Sequence, residues 1–250
     1  MASNTSSGSS VLKNYLTLTS DKNFLPFVEI LLKSLNKNSP IFDVVVRLVN
    51  CNQSDADKVR SWYKNIEIIN DIKELSTKKN LLTKDGEFYQ DVLSEGFSKN
   101  NTTVNRARWL YSEQIAYCSN IKIDTMDMLL SRTDTNSVLY MDADSIIRGS
   151  LDGLLDIINK HDVSFFEDVP YETQHIGSKR LEGQSVLFQG GLIGVKKNKK
   201  TQQLVAEWKV EIMSDIFDWD ADEKAFYKLI QLDLKIVMIK YIYHVLIVKK

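Results

Sequence analysis

The sequence predicts an α/β fold built on a mostly parallel sheet, and three observations point to it. Short runs rich in β-branched residues alternate with amphipathic stretches from Val11 onward, which is the pattern of strands interleaved with crossover helices. The run Phe42 to Val49 is nearly continuously apolar, as suits a central strand covered on both faces. A third apolar run, Ser137 to Met141, leads straight into Asp142-Ala143-Asp144. Buried acids must be paired or must bind a metal, so this placement suits the carboxyl end of a strand, where ligand crevices form in open α/β sheets.

Each element can be justified in turn. Leu12 to Thr19 is the first expected strand, and Ser20 and Asp21 offer capping oxygens to a helix over Phe24 to Leu35. Pro26 falls in that first turn, where a missing N–H does no harm. After the Phe42–Val49 strand, Ser54-Asp55-Ala56-Asp57 opens a helix ending near Asn65, and Glu67 to Ile69 gives a short strand. Residues 70–100 break the rhythm and are expected as a long surface excursion. Thr103 to Cys118 carries Val104, Ala107, Leu110, Tyr111, Ile115 and Cys118 roughly on one stripe, which predicts a helix. Beyond the aspartate-bearing strand come a helix over Leu151 to Asn159 and a strand over Val163 to Phe166. Pro170 to Gly183 is polar and is expected as a mobile loop able to close over a ligand. Ser185 to Phe188 and Leu192 to Val195 read as strands flanking Gly190-Gly191. Helices over Thr201 to Phe217 and Asp222 to Leu232 follow, then one or two closing strands within Ile236 to Val248. No repeat or internal boundary is visible. Residues 1–10 are expected as a disordered leader or tag remnant, and 11–250 as a single domain.

Composition excludes several classes. Hydrophobic residues make up 43% of the chain, enough for one large core. Charged residues make up 26% with a net charge of -1, so no global field selects nucleic acid or an anionic membrane. Cys51 and Cys118 are the only cysteines, too few for a disulfide framework and without metal-ligand spacing. No stretch reaches the roughly 20 apolar residues of a membrane span. The first ten residues lack the basic flank and apolar core of a signal peptide. A cytoplasmic protein is expected.

Side chains alternate along a strand, so Asp142 and Asp144 are expected to point the same way while Ala143 turns back into the sheet. Two hard oxygen donors suit Mn²⁺ or Mg²⁺. A bare Asp-x-Asp is a weak signal, and a polar turn is the bland reading. Its setting is more specific: Val138-Leu139-Tyr140-Met141 precede it, and Ile146-Ile147-Arg148-Gly149-Ser150-Leu151-Asp152-Gly153-Leu154 follow. Here the sequence resembles the nucleotide-sugar-dependent glycosyltransferases of the GT-A fold, most of all the branch of glycogenin-type and bacterial galactosyltransferase enzymes.

The resemblance runs roughly from Tyr15 to Ile239. It implies that Asp142 and Asp144 hold the metal and that Thr19 and Asp21, ending the first strand, contact the nucleobase, although Asp21 also reads as a plain helix cap. Arg106 and Arg108 match a basic position facing the sugar nucleotide, with surface arginines as the alternative. Phe188-Gln189-Gly190-Gly191 resembles the segment lining the donor-sugar pocket. Close approach of a ligand explains adjacent glycines in a strand, and a β-bulge explains them equally. Where this chain has Gln189 or Gly190, the family usually has Asn or Asp. Asp222 in Asp222-Glu223-Lys224-Ala225-Phe226 matches the family's acidic position at a helix start, with Asp220 as competitor, either as catalytic base or as sugar contact. His244 is the candidate third metal ligand, and a half-buried strand histidine is the bland reading; the family's usual Gly-x-x-Lys-Pro-Trp segment does not occur in these 250 residues.

The resemblance therefore implies transfer of a sugar, from a UDP-sugar first of all, to an acceptor hydroxyl of a glycan or glycoprotein. No nucleic acid partner and no membrane span are expected. The Lys-, Asn- and Ile-rich character is also compatible with a virus-encoded sugar transferase acting in a host cytoplasm. A sugar-nucleotide nucleotidyltransferase is the second enzyme reading, but Leu18-Thr19-Ser20-Asp21-Lys22-Asn23 lacks the Gly-rich basic loop it needs. A non-catalytic glycan-binding domain is the third, and the intact acids argue against it.

Overall fold

The computed structural model describes residues 11–76, 112–168, 187–217, 221–229 and 236–239. Seven strands are present among them: β1 (Lys13–Asp21), β2 (Asp43–Val49), β3 (Ile66–Asp71), β4 (Thr135–Met141), β5 (Val163–Asp168), β6 (Leu187–Lys196) and β7 (Ile236–Ile239). They form one sheet in the order β3-β2-β1-β4-β6-β5-β7. β3, β2, β1 and β4 run parallel, β6 runs antiparallel to both its neighbours, and β7 is parallel to β5. The mostly parallel sheet expected from the sequence is present, with β6 as its reversed member. The chain builds outward from β1 to β3, then returns to place β4 on the other side of β1. That reversal of winding opens a crevice at the carboxyl ends of β1 and β4.

The helices are α1 (Leu25–Asn38), α2 (Gln53–Trp62), α3 (Glu113–Asn120), α4 (Lys122–Ser131), α5 (Asp152–Lys160), α6 (Lys199–Ser214) and α7 (Ala221–Leu229). A single 3-10 turn, Lys22–Phe24, leads into α1. α2 and α6 each begin with a reciprocal capping box, from Asn52 with Asp55 and from Asn198 with Thr201.

The sheet separates two cores. On one side Leu16, Leu18, Val44, Val46, Leu48, Leu139 and Met141 meet Val28, Leu31, Leu32 and Leu35 of α1, with α2 and α5 completing the layer. On the other, Tyr15, Val45, Val138, Tyr140, Phe165 and Ile193 meet α4, α6 and α7. Phe165, Trp208 and Phe226 cluster here, with ring centroids of Phe165 and Phe226 4.5 Å apart and of Trp208 and Phe226 4.9 Å apart. Such pairs add about 0.5–1.5 kcal/mol beyond their burial. No described helix is long and apolar enough to cross a membrane.

Several expectations need correction. β4 ends at Met141, so Asp142 and Asp144 lie in a turn, closed by the Ser145 N–H donating to the Asp142 carbonyl at 3.1 Å. Strand alternation therefore does not set their directions. The two strands expected around Gly190-Gly191 are one continuous strand, β6. Its pairing with β5 jumps from Phe165↔Ile193 to Phe166↔Gln189, so Gly190 to Leu192 bulge out of that ladder. The long helix expected to end at Cys118 is described only from Glu113, and a separate helix, α4, follows it unforeseen. The expected loop Pro170 to Gly183 lies outside the described residues, as do residues 1–10 and 240–250.

Candidate functional site

The carboxyl edge of the sheet gathers the side chains with chemistry. At the end of β1, Asp21 is buried and accepts the backbone N–H groups of Asn23 at 2.9 Å and Phe24 at 3.3 Å through Oδ1. Its Oδ2 accepts Gln114 Nε2 at 2.6 Å. Asp21 is thus the cap foreseen, and it also docks α3 onto the strand end. Asn50, just past β2, holds a left-handed backbone with φ 54°, a conformation asparagine tolerates better than most residues. Its Oδ1 accepts the Lys73 N–H at 2.8 Å and its Nδ2 donates to Gln114 Oε1 at 3.4 Å. One glutamine therefore bridges the ends of two strands. On β1 the Thr19 hydroxyl is buried and makes no hydrogen bond among the described residues, and nor does that of Thr17. A buried hydroxyl without a partner costs free energy, so Thr19 has capacity to offer a ligand at this edge.

Behind this edge lies a charged brace. Arg47 of β2 donates to Asp71 of β3 at 2.8 Å and to Asp124 of α4 at 2.5 Å. Lys209 of α6 meets Asp124 at 2.8 Å and Asp127 at 3.0 Å. Burial works against ionisation of Asp124, but hydrogen bonds from Lys209 and Arg47 outweigh it and hold the carboxyl below its usual range. The Tyr117 phenol donates to Asp71 at 2.8 Å, and burial together with that acid raises its pKa.

The aspartate turn is fixed from three sides. The Asp142 N–H donates to the Gly191 carbonyl at 2.9 Å, joining the turn to the glycine pair of β6. The Tyr140 hydroxyl donates to Asp142 Oδ1 at 3.1 Å. Burial first, then the charge of Asp142, push the Tyr140 pKa well up, so the phenol stays a donor. Downstream, α1 anchors the chain: Ser34 Oγ accepts the Ile147 N–H and Ser39 Oγ accepts the Leu151 N–H, both at 2.9 Å. Asp142 and Asp144 are half-buried, whereas Met141, Ala143 and Ser145 are buried.

On the far wall, Asp222 sits buried in the first turn of α7. Its N–H donates to Asn120 Oδ1 at 3.2 Å and its carbonyl accepts Trp208 Nε1 at 2.8 Å. Its Oδ2 is 2.6 Å from Lys122 Nζ, which also donates to the Gly190 carbonyl at 2.9 Å and lies 5.1 Å from the Tyr140 ring centre.

The structure therefore brings Asp142, Gly190, Gly191 and Asp222 into one continuous set of contacts, with Asp144 two residues along the same turn. Thr19 and Asp21 lie at the end of the neighbouring strand. Gln189 is placed by its backbone, paired with Phe166. Arg106, Arg108, Asp220 and His244 lie outside the described residues. Gln114, Tyr140 and Lys122 were not foreseen in these roles. Among the described residues no group of three or more His, Cys, Asp or Glu side chains could hold a metal ion; the pair Asp142 and Asp144 is what the edge offers.

The sequence pattern of glycosyl transferase family 8 matches residues 15–246. No curated protein sequence matches the chain. Among solved structures, the galactosyltransferase LgtC, in complex with donor and acceptor sugar analogs, is similar with a TM-score of 0.52 and 18% identity, over 85% of this chain and 70% of that one. The bifunctional glycosyltransferase WbbM is similar with a TM-score of 0.53 and 13% identity, over 93% of this chain and 39% of that one. The glycosyltransferase GlyE of Streptococcus pneumoniae TIGR4 gives 0.50 and 12%, over 92% and 45%. The chain spans less than half the length of GlyE and WbbM. At these identities the likeness is one of fold, and the shared fold is GT-A.

Proposed function

The chain belongs to glycosyl transferase family 8, and from that premise we propose that it moves a sugar from a nucleoside-diphosphate sugar, a UDP-sugar first of all, to an acceptor hydroxyl of a glycan or glycoprotein. The observation that carries this reading is the Asp142 N–H to Gly191 carbonyl bond of 2.9 Å. It sets the acid turn against the glycine strand at one edge of the sheet, where a diphosphate and its sugar would lie side by side.

Asp142 and Asp144 fit a divalent cation: they are hard oxygen donors, half-buried at a crevice, and Asp142 is braced by Tyr140. They would hold Mn²⁺ or Mg²⁺, with His244 as the proposed third ligand. When bound, the metal neutralises charge on the departing diphosphate. The chain's own residues do the positioning. Thr19, with its hydroxyl unpartnered, and Asp21 receive the nucleoside end. Arg106 or Arg108 presents a planar fork to phosphate or sugar oxygens. Gln189, Gly190 and Gly191 line the sugar, the space beside Gly190 being filled by the Lys122 ammonium and the Asp222 carboxylate. Asp222 has one carboxylate oxygen engaged by the Lys122 ammonium. It is a fixed acceptor, which favours a hydrogen bond to a donor-sugar hydroxyl over removal of the acceptor's proton; Asp220 is the other candidate for that second task.

Titration calorimetry with UDP in the presence and absence of Mn²⁺ tests the reading. Wild-type protein is expected to bind UDP in a metal-dependent way, and Asp144→Ala to lose that dependence while melting as the wild type does. Equal affinity in both proteins overturns the metal role. A thermal-shift panel of UDP-, GDP-, ADP- and dTDP-sugars then identifies the donor.

A further inference from the structure

At the edge of the sheet opposite the crevice, two connections meet. One joins α5 to β5 through His161 and Asp162, and the other joins β6 to α6 through Lys197 and Asn198. They are tied together: the Lys196 N–H donates to the Asp162 carbonyl at 3.1 Å, and Asn198 Nδ2 donates to Asp162 Oδ1 at 2.7 Å. The Thr201 hydroxyl donates to the Lys196 carbonyl at 2.6 Å. His161 Nδ1 lies 2.9 Å from the Ile157 carbonyl, which can only accept, so that nitrogen carries the proton. Between the connections lies a cavity of about 410 Å³, within the range of small-molecule pockets.

Its wall is basic. Lys160, Lys196, Lys199 and Lys200 line it together with His161, and Asp162 is the one acid among the lining residues. Four ammonium groups against one carboxylate make a local surplus in a chain whose net charge is -1. The Asp162 carboxylate is already engaged by Asn198. Lys160, Lys196 and Lys199 form no ion pair among the described residues. Lys197, in the middle of the run, is instead drawn to the Arg132 carbonyl.

Stability accounts for only part of this. Lys160 and His161 stand at the C-terminal end of α5, where a cation complements the helix dipole. Lys199 and Lys200 do the reverse. They open α6, whose first turn holds no acid, and positive charge at a helix N-terminus opposes the dipole. The cap is already satisfied by Asn198, which accepts the Thr201 N–H at 3.1 Å, so the turn needs nothing from the lysines. Cations set against a dipole and beside two others are offset only by an anion.

We infer that this cavity is a second binding site, for a phosphate-bearing anion. Lysine ammonium groups bind phosphate through charge-assisted hydrogen bonds, and the hydrogen-bonded frame of the two connections holds the backbone that carries them. β4 separates this site from the crevice. Its Ser137 pairs with Lys196 beside the cavity, and its far end leads into Asp142, roughly 17 Å away at about 3.3 Å per residue. Binding here needs neither the aspartate turn nor a divalent metal, and the inference does not rest on sugar transfer. A soluble phosphate compound and an anionic lipid headgroup offer the same chemistry.

The test uses pyrophosphate, with EDTA present so that the aspartate turn holds no metal. Titration calorimetry on the whole chain compares wild type, Lys199→Gln/Lys200→Gln and Lys58→Gln/Lys64→Gln. The last pair removes the same charge from exposed lysines beside β3, at the other end of the sheet. Wild type and this control are expected to bind alike, and the cavity variant about tenfold or more weakly. The cavity variant should melt no lower than wild type, because the lysines it loses oppose the dipole. No binding by wild type, equal affinity in all three proteins, or an equal loss in the control overturns the inference. Co-sedimentation with phosphatidylcholine vesicles, with and without phosphatidylglycerol, then assigns the source. Binding that requires the anionic lipid and is lost in the cavity variant identifies a headgroup, and any other result leaves a soluble phosphate compound as the ligand.

Discussion

The two faces of the sheet are covered by helices in similar number and differ in what they bury. On the α1, α2 and α5 side the core is aliphatic, and buried polar groups such as Asp55 and Ser39 serve as caps or accept loop N–H groups. On the α4, α6 and α7 side an equally apolar core is interrupted near the carboxyl edge by Lys122, Asp222, Asp71 and the hydroxyls of Thr17 and Thr19, which have no hydrogen-bond partner among the described residues. Stability alone does not ask for these, since each must be desolvated and some lack partners. One face is almost purely apolar and the other carries buried polar groups near the carboxyl edge, where the site is proposed.

Substitutions can break or sharpen that contrast. The largest effect is expected at the turn joining the faces: Asp144→Ala should lower kcat/KM on the order of 10²–10³-fold or more, with circular dichroism unchanged. Retained turnover would remove the edge from the chemistry.

Next is Gly190→Ala on the polar face. Its methyl would intrude on Asp222 and Lys122, and overpacking of this kind costs about 1–3 kcal/mol. Denaturant unfolding should show the loss, and donor affinity should fall with it. A neutral outcome would mean that the Lys122–Asp222 pair yields easily.

Asp124→Asn removes one arm of the brace behind the edge, and a loss of about 1–3 kcal/mol at pH 7 is expected. Its folded pKa is depressed, so its contribution is full above the unfolded value of about 3.9 and fades as pH falls through the folded value. The difference in stability between variant and wild type should shrink below about pH 4. A difference independent of pH would show that packing, not charge, holds α4 to β2.

The smallest effect, of opposite sign, is expected on the aliphatic side. A Cβ at Gly153 meets nothing within 4 Å, so Gly153→Ala in α5 should stabilise by up to about 1 kcal/mol without altering turnover. A glycine that gains from a methyl and one that is harmed by it would mark the two faces.

Much of this was legible in the chain. The density of Val and Leu in Phe42 to Val49 announced a central strand, and Asp21 announced its own capping role. Asp142, Gly190, Gly191 and Asp222 were singled out one by one and lie together in space. What escaped has physical causes. α4 was missed although Ile123, Met126, Leu129 and Leu130 share its inner face. Its N-terminus has no side-chain cap and opens on a lysine, which leaves Asp124 as the one ordinary start signal in its first turn. The break expected at Gly190-Gly191 followed from glycine's poor strand propensity, yet β6 runs through the pair, which bulges from the β5 ladder and is tied to the aspartate turn by the Asp142 N–H donating to the Gly191 carbonyl. Gln114 gave no signal, since a glutamine on a helix reads as solvated until the strands it bridges are in place.

The strand order also bears on how the molecule is made. β1, α1, β2, α2 and β3 are consecutive in the chain and pair with close neighbours, so they can assemble early and locally. Thr19 and Asp21, the proposed nucleoside end of the crevice, belong to that early unit. The wall carrying Gly190 and Asp222 requires β4 to insert beside β1, which closes more than a hundred residues between Thr17 and Tyr140, and β6 to pair with β4. During synthesis the end of the crevice at Thr19 and Asp21 is therefore laid down well before Gly190, Lys122 and Asp222 can meet, so the proposed sugar wall is completed late in folding.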